Sequence, residues 1–372
     1  MMLAQKAFVR FVEHPVATGL TGGYQVVAVD LNADGKLDLI ALASGMPELV
    51  WFENPTWKRH VIAGNLKNLI NLGAWDFDGD GIPEIVLASG FSMQAKHSSG
   101  TIHLLQHNGD PRQPWNVREI DRLPTSHRLR WADFEGSGRK VLINAPLTGA
   151  AAEPPDYRGQ TPLVYYRPGE WKRHIISEQN EGVVHGLDIV DWDGDGRDEI
   201  LTASFTGIHL FDFRDGKWSR TQIAKGDPAP WPKSGASEVA VGRIGKMRYL
   251  CAIEPWHGNQ VVVYVERGGA WVRRVIDDSY IEGHTLHTAD LDGDGADEIV
   301  AGFRGQGHAV YVYYPRDATG EHWERRLLDG QVAAASCVVA DLNGDGRPDV
   351  ACIGSATANL KWYENAGIMP AP

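Results

Sequence analysis

The chain has 372 residues, and its 48 Asp and Glu outnumber 36 Lys and Arg to give a formal net charge of −12. A hydrophobic content of 43% excludes a disordered chain, and no apolar run approaches the ~18 residues of a membrane-spanning helix. Because non-specific nucleic-acid binding needs clustered positive charge, the acidic balance argues against a nucleic-acid partner, and no membrane partner is expected.

In chain order, an apolar strand at residues 8–12 is followed by repeats of one unit: a strand, an acidic glycine turn, a second strand, a variable loop and two further strands. Five turns keep the full pattern, at residues 30–38, 76–84, 191–199, 290–298 and 341–349. A sixth turn, at residues 133–138, is degraded, and a seventh survives only as residues 242–245. A period of about 46 to 58 residues is typical of four-stranded propeller blades.

The two ends of the chain predict how a ring of blades closes. The last unit stops after residues 360–365, which match the third strand of the first unit at residues 49–54. Residues 8–12 supply its missing fourth strand and leave no open sheet edge. The sequence therefore predicts an all-β fold, a single seven-bladed β-propeller of antiparallel blades over residues 1–372, closed by the N-terminal strand.

The acidic turns present convergent oxygens at their positions 1, 3, 5 and 9, with Gly at position 6, which suits a hard cation. We expect structural Ca²⁺ in these turns rather than catalysis, because the turns are regular from blade to blade. The predicted ligands are Asp30, Asn32, Asp34, Asp38, Asp76, Asp78, Asp80, Glu84, Asp191, Asp193, Asp195, Glu199, Asp290, Asp292, Asp294, Glu298, Asp341, Asn343, Asp345 and Asp349.

Function is expected where the blades differ, on the loops of the opposite face. His127, His185 and His284 occupy one repeat position at the start of inner strands and are expected to converge on the axis, and His257 lies in a nearby loop. We predict a metal site of His185, His257 and His284, occupied by Zn²⁺ or another divalent metal. The alternative role of each is that of a hydrogen-bonded loop histidine.

The same face carries the other candidate residues. We predict catalytic roles as acid or base for His127, Glu254 and His257. A pocket of imidazoles, carboxylates and aromatic rings suits a polar, sugar-like ligand. The predicted substrate-binding residues are Arg128, Tyr157, Arg158, Trp231, Trp256, Arg304 and His308. The alternative role of the arginines is pairing with neighbouring acids such as Asp188 or Glu238.

The cysteines and the N-terminus bear on the compartment. Cys251, Cys337 and Cys352 lie in apolar stretches, where three buried, inert thiols are expected rather than a disulfide framework. Residues 1–15 show no signal peptide. The expected localisation is cytoplasmic, or periplasmic or secreted if the chain is a truncated form.

The turns and their flanking strands resemble the FG-GAP/VCBS repeat family over nearly the whole chain. Moreover, the pattern His-x-Leu-x-x-x-Asp-x-Asp-Gly-Asp-Gly at His185 and His284, with residues 145–149 and 254–258, is similar to the propeller of the aldos-2-ulose dehydratases. That resemblance implies dehydration of keto-sugars such as anhydrofructose and bound divalent metals. The family pairs its propeller with further C-terminal β-domains, so a homo-oligomer is one expectation for this chain.

These observations favour a metal-dependent lyase that dehydrates a keto-sugar (anhydrofructose- or glucosone-like) by α-proton abstraction and elimination of water, at the His-rich mouth of the central channel. The expected partner is a small sugar or glycan. Two alternatives remain open: a non-catalytic propeller that binds carbohydrate or protein, as in integrin-like propellers and lectins, and a polysaccharide lyase.

Overall fold

A computed structural model describes residues 8–369, and residues 1–7 and 370–372 of the predicted domain lie outside it. This part of the chain forms 28 strands and one 3₁₀ helix, Ala95–His97. The strands make seven antiparallel sheets of four strands each, so the predicted seven-bladed propeller is confirmed. Among these residues no helix is long and apolar enough to cross a membrane.

Each blade contributes one inner strand to the central axis. The inner strands are β2 (Gly23–Val29), β6 (Asn71–Trp75), β10 (Ser126–Ala132), β14 (Val184–Val190), β18 (Glu238–Ile244), β22 (Gly283–Ala289) and β26 (Ala334–Ala340). The second strands are β3 (Asp38–Ala43), β7 (Glu84–Ser89), β11 (Val141–Pro146), β15 (Glu199–Ser204), β19 (Met247–Glu254), β23 (Glu298–Phe303) and β27 (Asp349–Gly354).

The two outer positions of each blade follow in the same order. The third strands are β4 (Leu49–Glu53), β8 (Thr101–Gln106), β12 (Gln160–Tyr166), β16 (Gly207–Arg214), β20 (Gln260–Arg267), β24 (Ala309–Pro315) and β28 (Asn359–Ile368). The outermost strands are β5 (Lys58–Ala63), β9 (Asn116–Arg122), β13 (Arg173–Glu181), β17 (Lys217–Ala224), β21 (Ala270–Asp277), β25 (Trp323–Asp329) and β1 (Val9–Thr18).

Burial explains the two kinds of strand pattern. Every residue of the second strands β3, β7 and β23 is buried, because each blade packs on its two neighbours. Such strands read as continuous apolar runs. The outermost strand β17 instead alternates between exposed and half-buried residues, as expected of a strand with one solvent-facing side.

The ring closes through the first and last strands, as predicted. β1 pairs antiparallel with β28 and is the outermost strand of the last blade. His14 stacks on Trp362, with ring centroids 4.4 Å apart, and its Nε2 lies 2.9 Å from Glu364 Oε2. The inner strands β26 and β2 also contact each other, so the ring has no gap on its inner side.

The cysteine expectation is wrong for two of the three residues. Cys337 on β26 lies directly opposite Cys352 on β27, and the two form a disulfide. Both residues are buried, and their Cα atoms are 4.1 Å apart, since the register of this hairpin makes them cross-strand neighbours. Cys251 is the free buried thiol that was expected, and burial raises its pKa well above the usual value.

The inner strands enclose a central channel with a volume of about 560 Å³. Its wall includes residues from all seven inner strands, which begin at the face with the variable loops and end at the acidic turns. Counting back from each turn therefore places equivalent residues of the blades at the same depth in the channel.

Candidate functional site

The start of the inner strands brings the predicted histidines together. His127, His185 and His284 each lie six residues before the first acid of their turns, at one depth around the axis. The ring centroid of His185 lies 4.9 Å from that of His127 and 5.1 Å from that of His284. His257 reaches the same place from the loop after β19, with its ring 4.8 Å from His185.

Glu238 fixes the orientation of His185. Its Oε1 lies 2.8 Å from His185 Nδ1 and 2.7 Å from Arg128 Nη2. Because the carboxylate only accepts, His185 Nδ1 carries the hydrogen and Nε2 keeps its lone pair. Gly186 permits this approach of β14 to β18, since a Cβ there would lie 2.8 Å from the Ser237 carbonyl oxygen.

The lone pair of His284 is set in the same way. Its Nδ1 lies 2.6 Å from the carbonyl oxygen of Ala335, which can only accept, so Nε2 is unprotonated. No residue of the described chain hydrogen-bonds to that buried Nε2. His257 Nε2 lies 3.1 Å from His185 Nε2, so in the metal-free protein His257 donates its hydrogen to His185.

These three histidines meet the requirements for holding a metal ion. One ring nitrogen from each of His185, His257 and His284 lies within 4.8 Å of the others. Two histidines bound to one tetrahedral Zn²⁺ at about 2.0 Å have nitrogens about 3.3 Å apart, close to the 3.1 Å between His185 and His257. A metal-binding histidine offers one ring nitrogen with a free lone pair and hydrogen-bonds through the other. His284 does so with its unpartnered Nε2, and the Nδ1 atoms of His185 and His284 make the hydrogen bonds.

Burial keeps the four imidazoles neutral. It is the largest cause that lowers the pKa of His127, His257 and His284 well below the usual value, and it lowers the pKa of His185 as well. The positive charge of Arg128 adds to this effect at His127 and His185. Neutral imidazole is the form that binds metal ions and accepts protons.

His127 stands beside the three histidines with a different set of contacts. Its Nε2 lies 2.8 Å from Tyr24 Oη and 3.5 Å from Arg128 Nη1. Because Arg128 only donates, Nε2 accepts from it and holds the lone pair, and the hydrogen lies on Nδ1, a buried atom to which no described residue hydrogen-bonds. The neutral ring of His127 thus keeps its lone pair at Nε2, beside Tyr24 and Arg128.

The loop residues predicted to bind substrate form an aromatic chain above the histidines. Trp256 lies against His257, with ring centroids 4.8 Å apart, and also contacts Tyr157 and Phe205. Trp231 packs on Phe205 and donates its indole N–H to the Asp156 carbonyl oxygen. Of the aromatic residues predicted to bind substrate, Trp256 is the one that lies against a histidine of the cluster.

The arginines of the loop face differ in their partners. Arg158 lies over the Trp231 ring at 4.1 Å and pairs with Glu181, so it covers one face of that ring. Arg304 pairs with Glu282, and after burial its charge has the largest influence on the pKa of His284, which places it next to the cluster. His308 lies in the loop after Arg304, where its backbone N–H donates to the Gly305 carbonyl oxygen.

Glu254 is not brought to the histidines. It is the last residue of β19, and its carboxylate accepts hydrogen bonds from Tyr264 Oη and from Arg273 Nε at 2.8 Å. Both partners lie on outer strands of the same blade, so the side chain extends away from the axis. Burial raises the pKa of Glu254 to about 7, although Tyr264 and Arg273 oppose this shift.

Three of the five acidic turns bring their carboxylates together. The groups whose oxygens lie within 4.8 Å of one another are Asp76, Asp78 and Glu84; Asp191, Asp193 and Glu199; and Asp290, Asp292 and Asp294. In all five turns the final acid accepts the backbone N–H of the second residue of the turn, and the shorter Asp of two turns accepts a second backbone N–H as well. Asp38 accepts from the backbone N–H groups of Leu31 and Asn54, and Asp349 from the equivalent pair.

One turn contains an internal cation as well. Arg214 on β16 donates to Asp193 at 2.7 Å and to Glu199 at 3.3 Å, and it also pairs with Asp195 and Asp212. A guanidinium thus neutralises part of the charge that a bound cation would neutralise in this turn.

Two residues of the cluster were not predicted to act in it. Tyr24 occupies in the first blade the position that histidine holds in three others, so the repeat itself carried this signal. Glu238 was considered only as a partner for an arginine. Its blade lacks the acidic turn from which the depth of a residue in the channel is counted. Residues 242–245 are the only remnant of that turn in the sequence.

Comparisons with known proteins show which families the chain is similar to. Residues 99–267 match the family described as the β-propeller domain of aldos-2-ulose dehydratase, and residues 30–87 and 290–352 match FG-GAP-like repeats. An aldos-2-ulose dehydratase of Phanerodontia chrysosporium is 27% identical over 293 residues, or 68% of this chain. The match spans 32% of that enzyme, so the chain covers about a third of its length.

Solved structures show the same fold. An exotype rhamnogalacturonan lyase aligns over 96% of this chain and 76% of its own, with 15% identity and a TM-score of 0.53. An Agrocybe aegerita lectin specific for non-reducing terminal N-acetylglucosamine aligns over 93% of this chain and 86% of its own, with 13% identity and the same TM-score. The chain is a seven-bladed β-propeller that carries FG-GAP-like repeats at residues 30–87 and 290–352 and resembles the propeller domain of aldos-2-ulose dehydratase.

Proposed function

We propose that the protein is a metal-dependent lyase that dehydrates a keto-sugar at the histidine end of the channel. The observation that carries this proposal is the convergence of His185, His257 and His284 on one point, with the lone pairs of His185 and His284 set by their partners. The similarity to the propeller of a sugar dehydratase supports the substrate class.

A bound divalent cation would act as a Lewis acid toward the sugar carbonyl. His127 is the general base in this proposal, because burial lowers its pKa so that its imidazole is neutral, and its ring lies 4.9 Å from that of His185. It takes the α-hydrogen as a proton, and the C–H electron pair forms an enolate with the carbonyl. When the enolate collapses, its electron pair becomes the new C=C bond and the C–O bond of the neighbouring carbon breaks. The departing hydroxyl takes up the proton that His127 holds and leaves as water.

Positive side chains favour the charge that develops in this step. Arg128 is held by Glu238 beside His127, and Arg304 lies close enough to influence the pKa of His284. Their guanidinium groups are fixed before the reaction, so they stabilise an enolate oxygen without reorganising. Trp256 would hold one side of the sugar next to His257.

The test compares His185→Ala, His284→Ala and His127→Gln with His322→Ala, which removes an exposed histidine far from the channel. The assay follows the ultraviolet absorbance of the unsaturated product from 1,5-anhydrofructose and measures bound metal by elemental analysis. We expect His185→Ala and His284→Ala to lose metal and turnover, and His127→Gln to lose turnover by about 10²- to 10⁴-fold. Wild-type turnover in His185→Ala and His284→Ala would overturn the proposal, as would recovery of the sugar unchanged from the wild-type protein.

The acidic turns support a second, structural metal role. We propose Ca²⁺ in the turns whose carboxylates converge, since hard oxygen ligands in a glycine-containing loop suit this ion. The disulfide between Cys337 and Cys352 is relevant to the compartment, because such bonds persist in oxidising surroundings. It favours the periplasmic or secreted expectation over the cytoplasmic one.

A further inference from the structure

A second polar ring lies deeper in the channel than the histidines. Three residues further along the inner strands, about 10 Å at strand spacing, three blades carry Arg130, Asp188 and His287. The other four blades carry small or apolar residues at this depth, namely Val27, Gly73, Ala240 and Val338. All seven residues line the same cavity. The blades therefore differ in their side chains at a second depth of the channel, and the packing of the ring alone does not require this difference.

Arg130 and Asp188 face the cavity without pairing with each other. Arg130 Nη1 donates to Asn71 Oδ1 at 3.2 Å and to the Leu129 carbonyl oxygen at 2.9 Å. Within residues 8–369, no carboxylate oxygen lies within 4.0 Å of this guanidinium, and the bond that Asp188 accepts comes from the Ile189 backbone N–H. Both side chains are only partly buried and line the cavity, so their remaining hydrogen-bonding groups are available to a polar ligand there.

The size and shape of the cavity limit what it can hold. A volume of about 560 Å³ lies within the range of small-molecule sites, about 300 to 1,000 Å³. Strands of all seven blades surround it, and Tyr24 and His284 line its histidine end. A long polysaccharide cannot lie across such a closed ring of strands. The cavity suits one small molecule that extends from His284, the clustered histidine in its lining, to the second ring.

The charge of the second ring selects the kind of small molecule. Arg130 and Asp188 have opposite charges, and burial lowers the pKa of His287 to about 4, so His287 is neutral. Hydroxyl groups both donate and accept, and they satisfy Asp188 and Arg130 at once. A sugar carboxylate would gain the attraction of Arg130 but would meet the repulsion of Asp188 and of Glu238 above it.

We propose that Arg130, Asp188 and His287 form a specificity ring that binds the hydroxyl groups of one neutral monosaccharide and disfavours uronic acids and polymers. This inference rests on the proposed function, because the ring orients the sugar whose carbonyl faces the histidines. Arg130 donates to sugar oxygens and Asp188 accepts from sugar hydroxyls, each through charge-assisted hydrogen bonds. The ring thus sets substrate class while the histidine cluster performs the chemistry.

The experiment measures binding of 1,5-anhydroglucitol, which has no carbonyl to react, and of galacturonate by titration calorimetry. The variants are Arg130→Met and Asp188→Asn, with Lys140→Met as a matched control, because Lys140 lines the channel but lies over Trp75 outside the ring. We expect each ring variant to weaken 1,5-anhydroglucitol binding about 10- to 100-fold. The control should stay within twofold of the wild-type protein, and Asp188→Asn should bind galacturonate more tightly than the wild type does.

The outcomes separate this inference from the proposed function. Wild-type affinity for 1,5-anhydroglucitol in both ring variants, or no binding to the wild-type protein, would overturn the specificity ring. Thermal melting of Arg130→Met and Asp188→Asn shows whether each variant is folded. If Arg130→Met is not folded, the binding result of Asp188→Asn alone decides the proposal. If His185→Ala keeps full turnover while the ring variants lose sugar binding, the dehydratase proposal fails and the ring stands.

Discussion

Replacing Glu238 by Gln tests the buried network that positions the histidine cluster. Burial alone would raise the pKa of this carboxyl, but the Arg128 charge and the hydrogen bonds from Arg128 and His185 outweigh it and lower the pKa to about 2. The difference from the usual 4.5 corresponds to about 3 kcal/mol in favour of the charged carboxylate in the folded state. Glu238→Gln removes this charge and leaves Arg128 buried without its counter-ion.

The expected loss is large enough to measure by thermal melting. A chain of 372 residues that unfolds as one unit has an unfolding entropy of about 0.8 kcal/mol per kelvin, so about 3 kcal/mol lowers Tm by about 4 °C. Because the folded-state pKa is lowered, the stabilisation is present above pH 4.5 and is lost as the pH falls toward 2. The difference in Tm between Glu238→Gln and the wild-type protein should therefore shrink over that interval.

A matched control removes a carboxylate of the same type from the surface. Glu119 pairs with Arg122 in the open, so Glu119→Gln should leave Tm almost unchanged at every pH. The affinity of the histidine cluster for a divalent metal should fall about 10- to 100-fold in Glu238→Gln, because His185 loses the acceptor that sets its tautomer. Equal melting temperatures for Glu238→Gln and the wild-type protein at pH 7 would refute this account of the network.

Three further predictions concern the acidic turns and the cysteines. Removing divalent ions with EDTA should lower Tm, because ions that bind the folded state stabilise it by mass action, and an unchanged melting curve would count against structural metal. Glu84→Gln should destabilise the protein with Ca²⁺ present but hardly at all in EDTA, because Glu84 belongs to a convergent carboxylate group. Asp38→Asn should instead cost about 1 to 3 kcal/mol of stability in both conditions, since Asp38 accepts two backbone N–H groups. Equal behaviour of the two variants would contradict this distinction. Alkylation of the unfolded, unreduced protein should modify Cys251 alone, and labelling of all three thiols would rule out the disulfide. The double variant Cys337→Ser, Cys352→Ser should lower the free energy of unfolding by about 3 kcal/mol.

The repeat carried most of the information about the fold. Equal spacing before each turn was enough to predict that His127, His185 and His284 share one depth in the channel, because equivalent residues of a closed ring face the same axis. Spacing did not predict the direction of Glu254, because the side chain at a strand end extends to one face or the other with a register shift of one residue.

Pairing between strands explains the remaining differences. Cys337 and Cys352 are far apart along the hairpin and become neighbours only when the register across the turn is known. Trp231 is predicted to bind substrate, and Arg158 lies over one face of its ring through a loop-to-loop contact that no repeat position indicates. Contacts between variable loops arise from tertiary packing, and the repeat pattern contains no signal for them.

The pairing of β1 with β28 has a consequence for synthesis of the chain. His14 meets Glu364 across 350 residues of sequence, so β1 has no partner until β28 has left the ribosome. At about 5 to 20 residues per second, this delay is on the order of 20 to 70 s. During that time β1 and the growing edge of the propeller both expose unpaired backbone groups, which makes nascent chains most vulnerable to association with one another shortly before the ring closes.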